Sequence, residues 1–150
     1  MKLFPYLNFR GNCEEALNFY KGALNGEIVQ LGRYGESPMK SPEIFKDKII
    51  HARLQFGDAL IMVSDVMNEH PINSGDNISL SVECDNDQQL EEVFSKMAAG
   101  GKITMPLQEQ FWGAKFGMLT DKFGIHWMFN CEKKKDGDKD IDGDKILDTI

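Results

Sequence analysis

The chain has few cysteines and prolines, and it contains no long apolar run. Of its 150 residues, three are Cys and five are Pro. Cys13, Cys84 and Cys131 are far apart and show no CxxC spacing. We therefore expect reduced thiols rather than a disulfide framework or a cysteine zinc site. No stretch approaches the roughly 18 apolar residues of a membrane span. We also see no secretory signal, and we predict a cytoplasmic protein.

Positive charge is scarce as well. The chain carries 17 Lys and Arg against 24 Asp and Glu, a formal net charge of −7. Binding to nucleic-acid phosphates or anionic lipid requires clustered cations, so we expect neither nucleic acid nor a membrane as a partner. The sequence also lacks a P-loop, a GxSxG and a GxGxxG motif. The last absence counts against methyl transfer.

What is present is a faint internal repeat. Residues 7–28 and residues 80–103 both read as strand, polar cap, amphipathic helix, glycine and strand. Asn12 and Asp85, the polar residues ahead of the two helices, are each followed three residues later by Glu or Gln, which is typical of a capping box. A glycine then ends each helix.

Each predicted helix has one apolar face at helical spacing. The first face contains Ala16, Leu17, Tyr20, Ala23 and Leu24. The second contains Leu90, Val93, Phe94, Met97 and Ala98. Both helices should therefore pack against a sheet.

Further strands follow each helix. Gly57-Asp58 separates the apolar runs 49–56 and 59–65, which is typical of a two-residue hairpin. In the second half the strands are expected at about 115–120 and 125–131, and the stretch 34–48 should be a loop. The sequence thus predicts an α+β fold of two βαβββ modules, residues 1–66 and 77–131, joined by a linker at 67–76.

Residues 132–150 have a different composition. They are nearly all charged, and we expect a charged flexible tail. Asp138, Asp140 and Asp142 fit the start of an EF-hand loop, but Lys145 and Thr149 do not fit its later positions, and the flanking helices are missing. A solvated tail is the simpler interpretation.

Three segments resemble one known family. Residues 5–24 (PYLNFRGNCEEALNFYKGAL), 51–65 (HARLQFGDALIMVSD) and 111–127 (FWGAKFGMLTDKFGIHW) resemble PhnB-like proteins of the vicinal oxygen chelate superfamily, which includes glyoxalases and bleomycin-resistance proteins. The resemblance covers roughly residues 4–131. It implies paired βαβββ modules whose curled mixed sheet encloses a cavity, commonly in a homodimer. A fold alone does not select among the superfamily's activities.

The resemblance also implies where a metal would be bound. Metal-dependent members place four ligands, usually His, Glu or Gln, on four strands, and those positions fall near Pro5, Met62, Asn77 and Met128. Proline has no donor atom in its side chain, and thioethers are poor ligands for hard divalent ions. We therefore expect no metal and no cofactor.

Strand alternation indicates which side chains share the cavity face. If Met62 and Met128 point inward, so do Leu60, Ser64, His126 and Asn130. Asn77, Ser79 and Ser81 would line the facing strand, and Trp127 would lie in the core under a helix. An apolar surface with a few polar groups is the usual composition of a small-molecule site.

His126 is the candidate catalytic residue. PhnB-like chains usually place His or Asn directly after Gly124, but here Ile125 occupies that position and His126 follows it. A shift of one residue along a strand reverses the face, so His126 enters the cavity. An imidazole is suited to acid-base chemistry near neutral pH. The alternative is a hydrogen-bonded structural histidine, which we favour.

Further candidates are His51, Tyr34, Phe111 and Trp112. His51 opens a strand, where it either contacts a ligand or caps the strand. The three aromatic residues either form a wall that stacks on a planar ligand or pack in a dimer interface. The third histidine, His70, is expected to be solvated.

We therefore predict a homodimer that binds a small apolar or planar molecule in its cavity without a metal. His51, Met62, Ser64, Asn77, Ser79, Trp112, Met128 and Tyr34 are the predicted ligand-binding residues. The alternative is an enzyme, either a metal-dependent lyase, isomerase or dioxygenase or an acid-base enzyme that uses His126.

Overall fold

The structure, a computed structural model, describes residues 1–67, 69 and 71–132. The chain forms two compact units that divide between Ser74 and Gly75. The first contains β1 (Tyr6–Phe9), α1 (Cys13–Ala23), β2 (Glu27–Arg33), β3 (Ile49–Phe56) and β4 (Ala59–Asp65). The second contains β5 (Leu80–Glu83), α2 (Asp87–Ala98), β6 (Lys102–Glu109), β7 (Ala114–Thr120) and β8 (His126–Glu132).

Each unit has one four-stranded mixed sheet. The strand order is β1-β4-β3-β2 in the first unit and β5-β8-β7-β6 in the second. The outer pairs β1–β4 and β5–β8 are parallel, and the other neighbours are antiparallel. Both sheets are open. The predicted α+β fold of two βαβββ modules is confirmed.

Strand alternation explains how each sheet packs on its helix. Ile61 and Val63 of β4, and Trp127 and Phe129 of β8, are buried, while the residues between them are only half-buried. The Phe94 ring of α2 meets the Phe129 ring edge-on at 5.8 Å. Trp127 stacks on Phe129 with centroids 6.0 Å apart, so its predicted place in the core under a helix is confirmed. All five residues of the predicted α1 face are buried.

The two predicted helix caps are corrected by the structure. Asn12 makes no side-chain cap bond to α1. Instead Asp65 Oδ1 accepts from the N–H groups of Gly11 and Cys13 at 2.8 and 3.0 Å. Asn86 rather than Asp85 caps α2, through a 2.8 Å bond from the Gln89 N–H group to Asn86 Oδ1. A local sequence window cannot reveal the first cap, because its acceptor comes from 52 residues away.

The glycine after α1 has a different role from the one predicted. Asn25, not Gly26, adopts the left-handed conformation, with φ of 52°. A Cβ on Gly26 would lie 2.9 Å from the carbonyl oxygen of Gln55. Gly101 is the second unit's counterpart, since a Cβ there would lie 2.3 Å from the Thr120 carbonyl oxygen. Both glycines thus allow the chain to pass close to the backbone of a neighbouring strand.

Several predicted boundaries differ from the structure. The stretch 34–48, predicted as a loop, contains two short 3-10 helices, Tyr34–Glu36 and Glu43–Phe45. β8 extends to Glu132. His70 of the predicted linker and residues 133–150 of the predicted tail lie outside the described residues. No helix among the described residues is both long enough and apolar enough to cross a membrane.

Candidate functional site

Each sheet has one face that does not carry the helix of its own unit. We call it the helix-free face. In the first unit, strand register places Tyr6, Met62 and Arg53 side by side across β1, β4 and β3. Ser64 and Asn8 are adjacent one step further along. This face is where half-buried and exposed side chains collect, because the apolar residues of alternate parity are used against α1.

The sharpest polar arrangement on this face is centred on His51. Its Nδ1 lies 2.9 Å from the Tyr6 hydroxyl oxygen, and the two rings are 5.6 Å apart. On the other side, Arg53 Nε donates to His51 Nε2 at 3.3 Å. Tyr6 keeps 43% of its surface exposed. The chain Arg53–His51–Tyr6 therefore lies where a ligand can reach it.

Ser64 shares the face but has little hydrogen-bonding capacity left. Its hydroxyl donates to the Ile50 carbonyl oxygen at 2.8 Å, with the Asp65 carbonyl oxygen also within 3.2 Å. Ser64 is buried. Its position on the face agrees with the predicted parity, while its hydrogen bonds serve the sheet.

Tyr34 lies in the core of the first unit. It is 6% exposed, its hydroxyl donates to the Asp65 carbonyl oxygen at 2.6 Å, and its ring meets Phe45 edge-on. Burial raises the pKa of this phenol. These contacts anchor the loop between β2 and β3, and they leave no exposed polar atom on Tyr34 for a ligand.

Asp65 is the structural centre of the first unit. Besides the two N–H groups near the start of α1, its second carboxylate oxygen accepts from the Ile49 N–H group at 2.9 Å. The side chain is 1% exposed. Three backbone donors on one buried carboxylate tie β1, α1 and β3 to the end of β4, because each would otherwise leave an unpaired polar group.

In the second unit the helix-free face has two neighbouring methionines, Met118 and Met128. Met128 is the register partner of Ser81 on β5 and of Met118 on β7. His126 begins β8, and its Nδ1 lies 2.9 Å from Thr120 Oγ1 on β7. The parity predicted for Met128 and His126 therefore agrees with the structure, and His126 has one ring nitrogen committed to Thr120.

Asn130 and Glu83 form a second polar pair on this face. Asn130 Nδ2 donates to Glu83 Oε2 at 2.8 Å. Asn130 is 8% exposed, and its Oδ1 has no hydrogen-bond partner among the described residues. Burial raises the pKa of Glu83, and the bonds from Asn130 and from the Glu132 N–H group oppose that rise.

Two predicted ligand-binding residues lie outside the strand that was to carry them. β5 begins at Leu80, so Asn77 and Ser79 precede it. Asn77 is exposed. The prediction that they line a strand is wrong, because the strand is only four residues long. The β5 residues on the helix-free face are Ser81 and Glu83, the register partners of Met128 and Asn130.

Trp112 lies in the turn between β6 and β7, next to Phe111. The two rings meet edge-on at 5.0 Å, and Trp112 also faces Phe116 at 6.1 Å. Phe111 is 97% exposed and Trp112 is 36% exposed. This turn presents an aromatic surface, while Tyr34 is buried in the other unit and does not contribute to it.

Tyr6, Arg53 and Glu83 lie on the helix-free faces but were not among the predicted site residues. A signal for each was available. Arg53 is two residues from His51, and Glu83 is two residues from Ser81, so alternation puts each pair on one face. Tyr6 was missed because the register was set one residue early, at Pro5, whose carbonyl oxygen accepts from the Met62 N–H group at 3.0 Å.

The donor set does not fit the metal that the fold family implies. The observed register puts Tyr6 beside Met62 in the first unit, and Ser81 beside Met128 in the second. A phenol, a hydroxyl and two thioethers are poor ligands for a hard divalent ion. No group of three or more His, Cys, Asp or Glu side chains that could hold a metal occurs among the described residues.

Comparison with known proteins shows the family. Residues 1–129 match the family described as 3-demethylubiquinone-9 3-methyltransferase. The chain belongs to this family. Over 148 residues it is 36% identical to protein YjdN of Escherichia coli K12. The aligned region covers 90% of this chain and 98% of YjdN.

Solved structures support the same assignment. Protein PA1353 from Pseudomonas aeruginosa is 41% identical, with a TM-score of 0.80 over 89% of this chain and 99% of that one. A Bacillus cereus PhnB protein, described as a putative 3-demethylubiquinone-9 3-methyltransferase, is 34% identical with a TM-score of 0.73. The match covers 87% of this chain and 99% of the Bacillus protein. A glyoxalase/bleomycin-resistance/dioxygenase domain from Frankia shares the fold at 14% identity and a TM-score of 0.64. That match covers 89% of this chain and 93% of the Frankia domain. The PhnB-like resemblance seen in the sequence is confirmed.

The methyl donor implied by the family description finds no cradle in the described residues. In nucleotide-binding folds, a glycine-rich turn and the following helix N-terminus approach the cofactor. Here the turn between β1 and α1 is closed by the Asp65 carboxylate, which accepts the N–H groups of Gly11 and Cys13. Asn86 caps α2 in the same way. The Gly11, Cys13 and Gln89 N–H groups at these two helix starts are thus bonded to side chains of the protein itself. We derive no step through a methyl donor.

Proposed function

We propose that the protein binds a small organic molecule on the helix-free faces of its sheets, without a metal. The observation that carries this proposal is the arrangement around Met62. It is an apolar, half-buried side chain with Tyr6 on one neighbouring strand and Arg53 on the other. Apolar surface beside a few directed polar groups is the usual composition of a small-molecule site.

Methionine suits such a surface. Its unbranched thioether adapts to different shapes and packs well against aromatic rings. Met62 provides this surface in the first unit, and Met118 with Met128 provides it in the second. A planar or apolar ligand body would rest on these side chains while the polar groups fix its orientation.

A second copy of the chain is the proposed partner. The outermost strands of both sheets expose apolar side chains: Val29 and Leu31 on β2, and Ile103 and Met105 on β6. Edge strands with exposed apolar residues favour pairing with another chain. Light scattering at micromolar concentration should give a dimer mass, and a monomer would contradict this part of the proposal. The three free, buried cysteines are consistent with a reducing compartment, and we propose a cytoplasmic location.

The second candidate is an acid-base enzyme. Thr120 orients the His126 ring through Nδ1, which leaves Nε2 as the reactive nitrogen on the helix-free face. An imidazole oriented by a hydrogen bond to its other nitrogen is a common arrangement for a general base. In that case His126→Ala would abolish turnover without unfolding the protein, and it would leave ligand binding by Met62 intact.

Thermal-shift screening tests the binding proposal. A panel of planar metabolites and antibiotics should include compounds that raise the melting temperature, and the shift should be the same with and without chelator. Met62→Gln should weaken the shift, because it replaces apolar surface by a polar amide. Met39→Gln is the matched control, since Met39 is an exposed methionine outside the sheets.

Two results would contradict the proposal. One is a broad panel that gives no shift at all. The other is stoichiometric zinc, nickel or manganese in the purified protein, with shifts that disappear on chelation. Elemental analysis of the same preparation decides the second point.

A further inference from the structure

The hydrogen bonds of the chain Arg53–His51–Tyr6, on the first unit's helix-free face, all run from donor to acceptor in one order. Arg53 always carries its protons, so its Nε can only donate, and His51 Nε2 must accept. The imidazole proton is therefore on Nδ1. That nitrogen donates to the Tyr6 hydroxyl oxygen, 2.9 Å away. The phenolic proton of Tyr6 can then be donated to a group other than Arg53 and His51, such as a bound ligand.

Arg53 has unused donors as well. Its Nε donates to His51, and its two terminal nitrogens have no hydrogen-bond partner among the described residues. The ion pairs found among the described residues are Arg33–Glu14, Lys46–Glu43 and Lys115–Glu91, and none includes Arg53. The register neighbours of Arg53 on β2 and β4 are Gln30 and Met62, both uncharged. Within the part of the chain that the structure describes, no carboxylate forms an ion pair with this exposed guanidinium.

We infer that this face recognises an oxyanion, the carboxylate or phosphate group of a small molecule, through the Arg53 guanidinium and the Tyr6 hydroxyl. The inference rests on the proposed function and names the ligand class for that site. The remaining Arg53 N–H groups and the Tyr6 hydroxyl can all donate, which suits an acceptor-only group. The planar guanidinium fork matches carboxylate and phosphate oxygens. Met62, between the two donors in the sheet, contacts the ligand's apolar body.

His51 has a positioning role in this arrangement. It contacts neither the oxyanion nor the ligand body, but it holds Tyr6 and Arg53 in one orientation. Replacement by Gln preserves an acceptor and a donor at similar reach, whereas Ala removes both. His51→Gln should therefore retain part of the affinity that His51→Ala loses, which a merely structural histidine would not predict.

Calorimetric titration of the full-length protein with benzoate, benzamide and inorganic phosphate tests the inference. Benzoate and benzamide have the same ring and shape but differ in charge. We expect benzoate to bind with a dissociation constant on the order of 1 mM and benzamide to bind at least tenfold more weakly. Inorganic phosphate should compete with benzoate, because both present an oxyanion to the same donors.

Variants locate the effect. Arg53→Gln should weaken benzoate binding about tenfold or more, as expected for a charge-assisted hydrogen bond. Tyr6→Phe keeps the ring and should weaken it about three- to tenfold. Arg10→Gln is the matched control, because it removes the same charge from an exposed position beyond the end of β1 and should change nothing.

The outcomes separate this inference from the proposed function. If benzamide binds as well as benzoate, and Arg53→Gln behaves like Arg10→Gln, the face binds small molecules but does not select oxyanions. If neither aromatic probe binds up to concentrations on the order of 10 mM, the oxyanion inference is contradicted, while the broad thermal-shift panel decides the proposed function separately. If benzoate binding is lost equally in Arg10→Gln, the effect is one of net charge and the site assignment is wrong.

Discussion

The Tyr6 hydroxyl oxygen lies 2.9 Å from Nδ1 of His51, although the two residues are 45 positions apart in the chain. β4 separates their strands in the sheet, so the contact exists only when the β1–β4–β3 order is formed. Arg53 donates to the other ring nitrogen of His51, Nε2. Together the two contacts determine which atom donates and which atom accepts in each hydrogen bond of the chain Arg53–His51–Tyr6. It is the basis of the ligand class proposed above.

The first prediction concerns the His51 tautomer. At a pH where the ring is uncharged, nitrogen NMR should show the proton on Nδ1, because Arg53 occupies the lone pair of Nε2. Arg53→Met removes that donor and should return the proton largely to Nε2. His126 is an internal reference, since its spectrum should not respond. A proton on Nε2 in the unaltered protein would contradict the proposed direction.

The second prediction concerns Asp65. Asp65→Asn retains one acceptor but turns an N–H donor towards one of the three backbone donors that the carboxylate serves. We expect the free energy of unfolding to fall by about 3 kcal/mol. Asp58→Asn, an exposed aspartate in the adjacent hairpin, should change it by less than about 0.5 kcal/mol. Chemical denaturation measures both, and equal effects would show that the buried carboxylate has no special role.

The third prediction concerns the thiols. Burial raises the pKa of Cys13 and of Cys84 from 9.0 to about 12. The unfolded chain therefore ionises these thiols first, so their contribution to stability is complete below pH 9 and is lost as the pH rises towards 12. Each thiol can lower the free energy of unfolding by up to about 1.4 kcal/mol per pH unit in that window. Cys13→Ala should reduce the slope, and a slope that does not change would contradict the burial argument.

The fourth prediction concerns Glu83. Its desolvation raises its pKa above the ordinary value of 4.5. Since the folded pKa is the higher one, the contribution of Glu83 is complete below pH 4.5 and is lost as the pH rises through the folded value. Glu83→Gln keeps an acceptor for Asn130 and should be more stable, relative to the unaltered protein, at pH 7 than at pH 4. Carbon NMR of the carboxyl group measures the midpoint, and one at or below 4.5 would refute the prediction.

Local sequence signals predicted the fold well. The strands 49–56 and 59–65 around Gly57-Asp58 agree with β3 and β4 residue for residue, because a two-residue turn and strict alternation fix both register and ends. The apolar stripe of α1 is buried as its spacing predicts. Its cap could not be predicted, because the Asp65 acceptor arrives through tertiary structure.

The site was only partly predictable, for the same physical reason. Alternation gave the face of Met62, Ser64, His126 and Met128, since it depends only on neighbouring residues. Partnership across strands depends on strand order, which periodicity does not encode. His51 was therefore found as a candidate, but Tyr6 and Arg53, its two partners, were not. Asn77 and Ser79 were assigned to a strand that starts at Leu80, because strand ends are set by pairing with β8.

The most direct test of the central claim is a carbon NMR titration of methionine-methyl-labelled protein with benzoate. We predict a saturable shift of the Met62 methyl signal whose midpoint moves to about tenfold higher benzoate concentration or beyond in Arg53→Gln and is unchanged in Arg10→Gln. Met97, buried under the second sheet, and exposed Met39 should not respond. A Met62 signal that stays unchanged while benzoate binds elsewhere would contradict the assignment of the ligand site to this face.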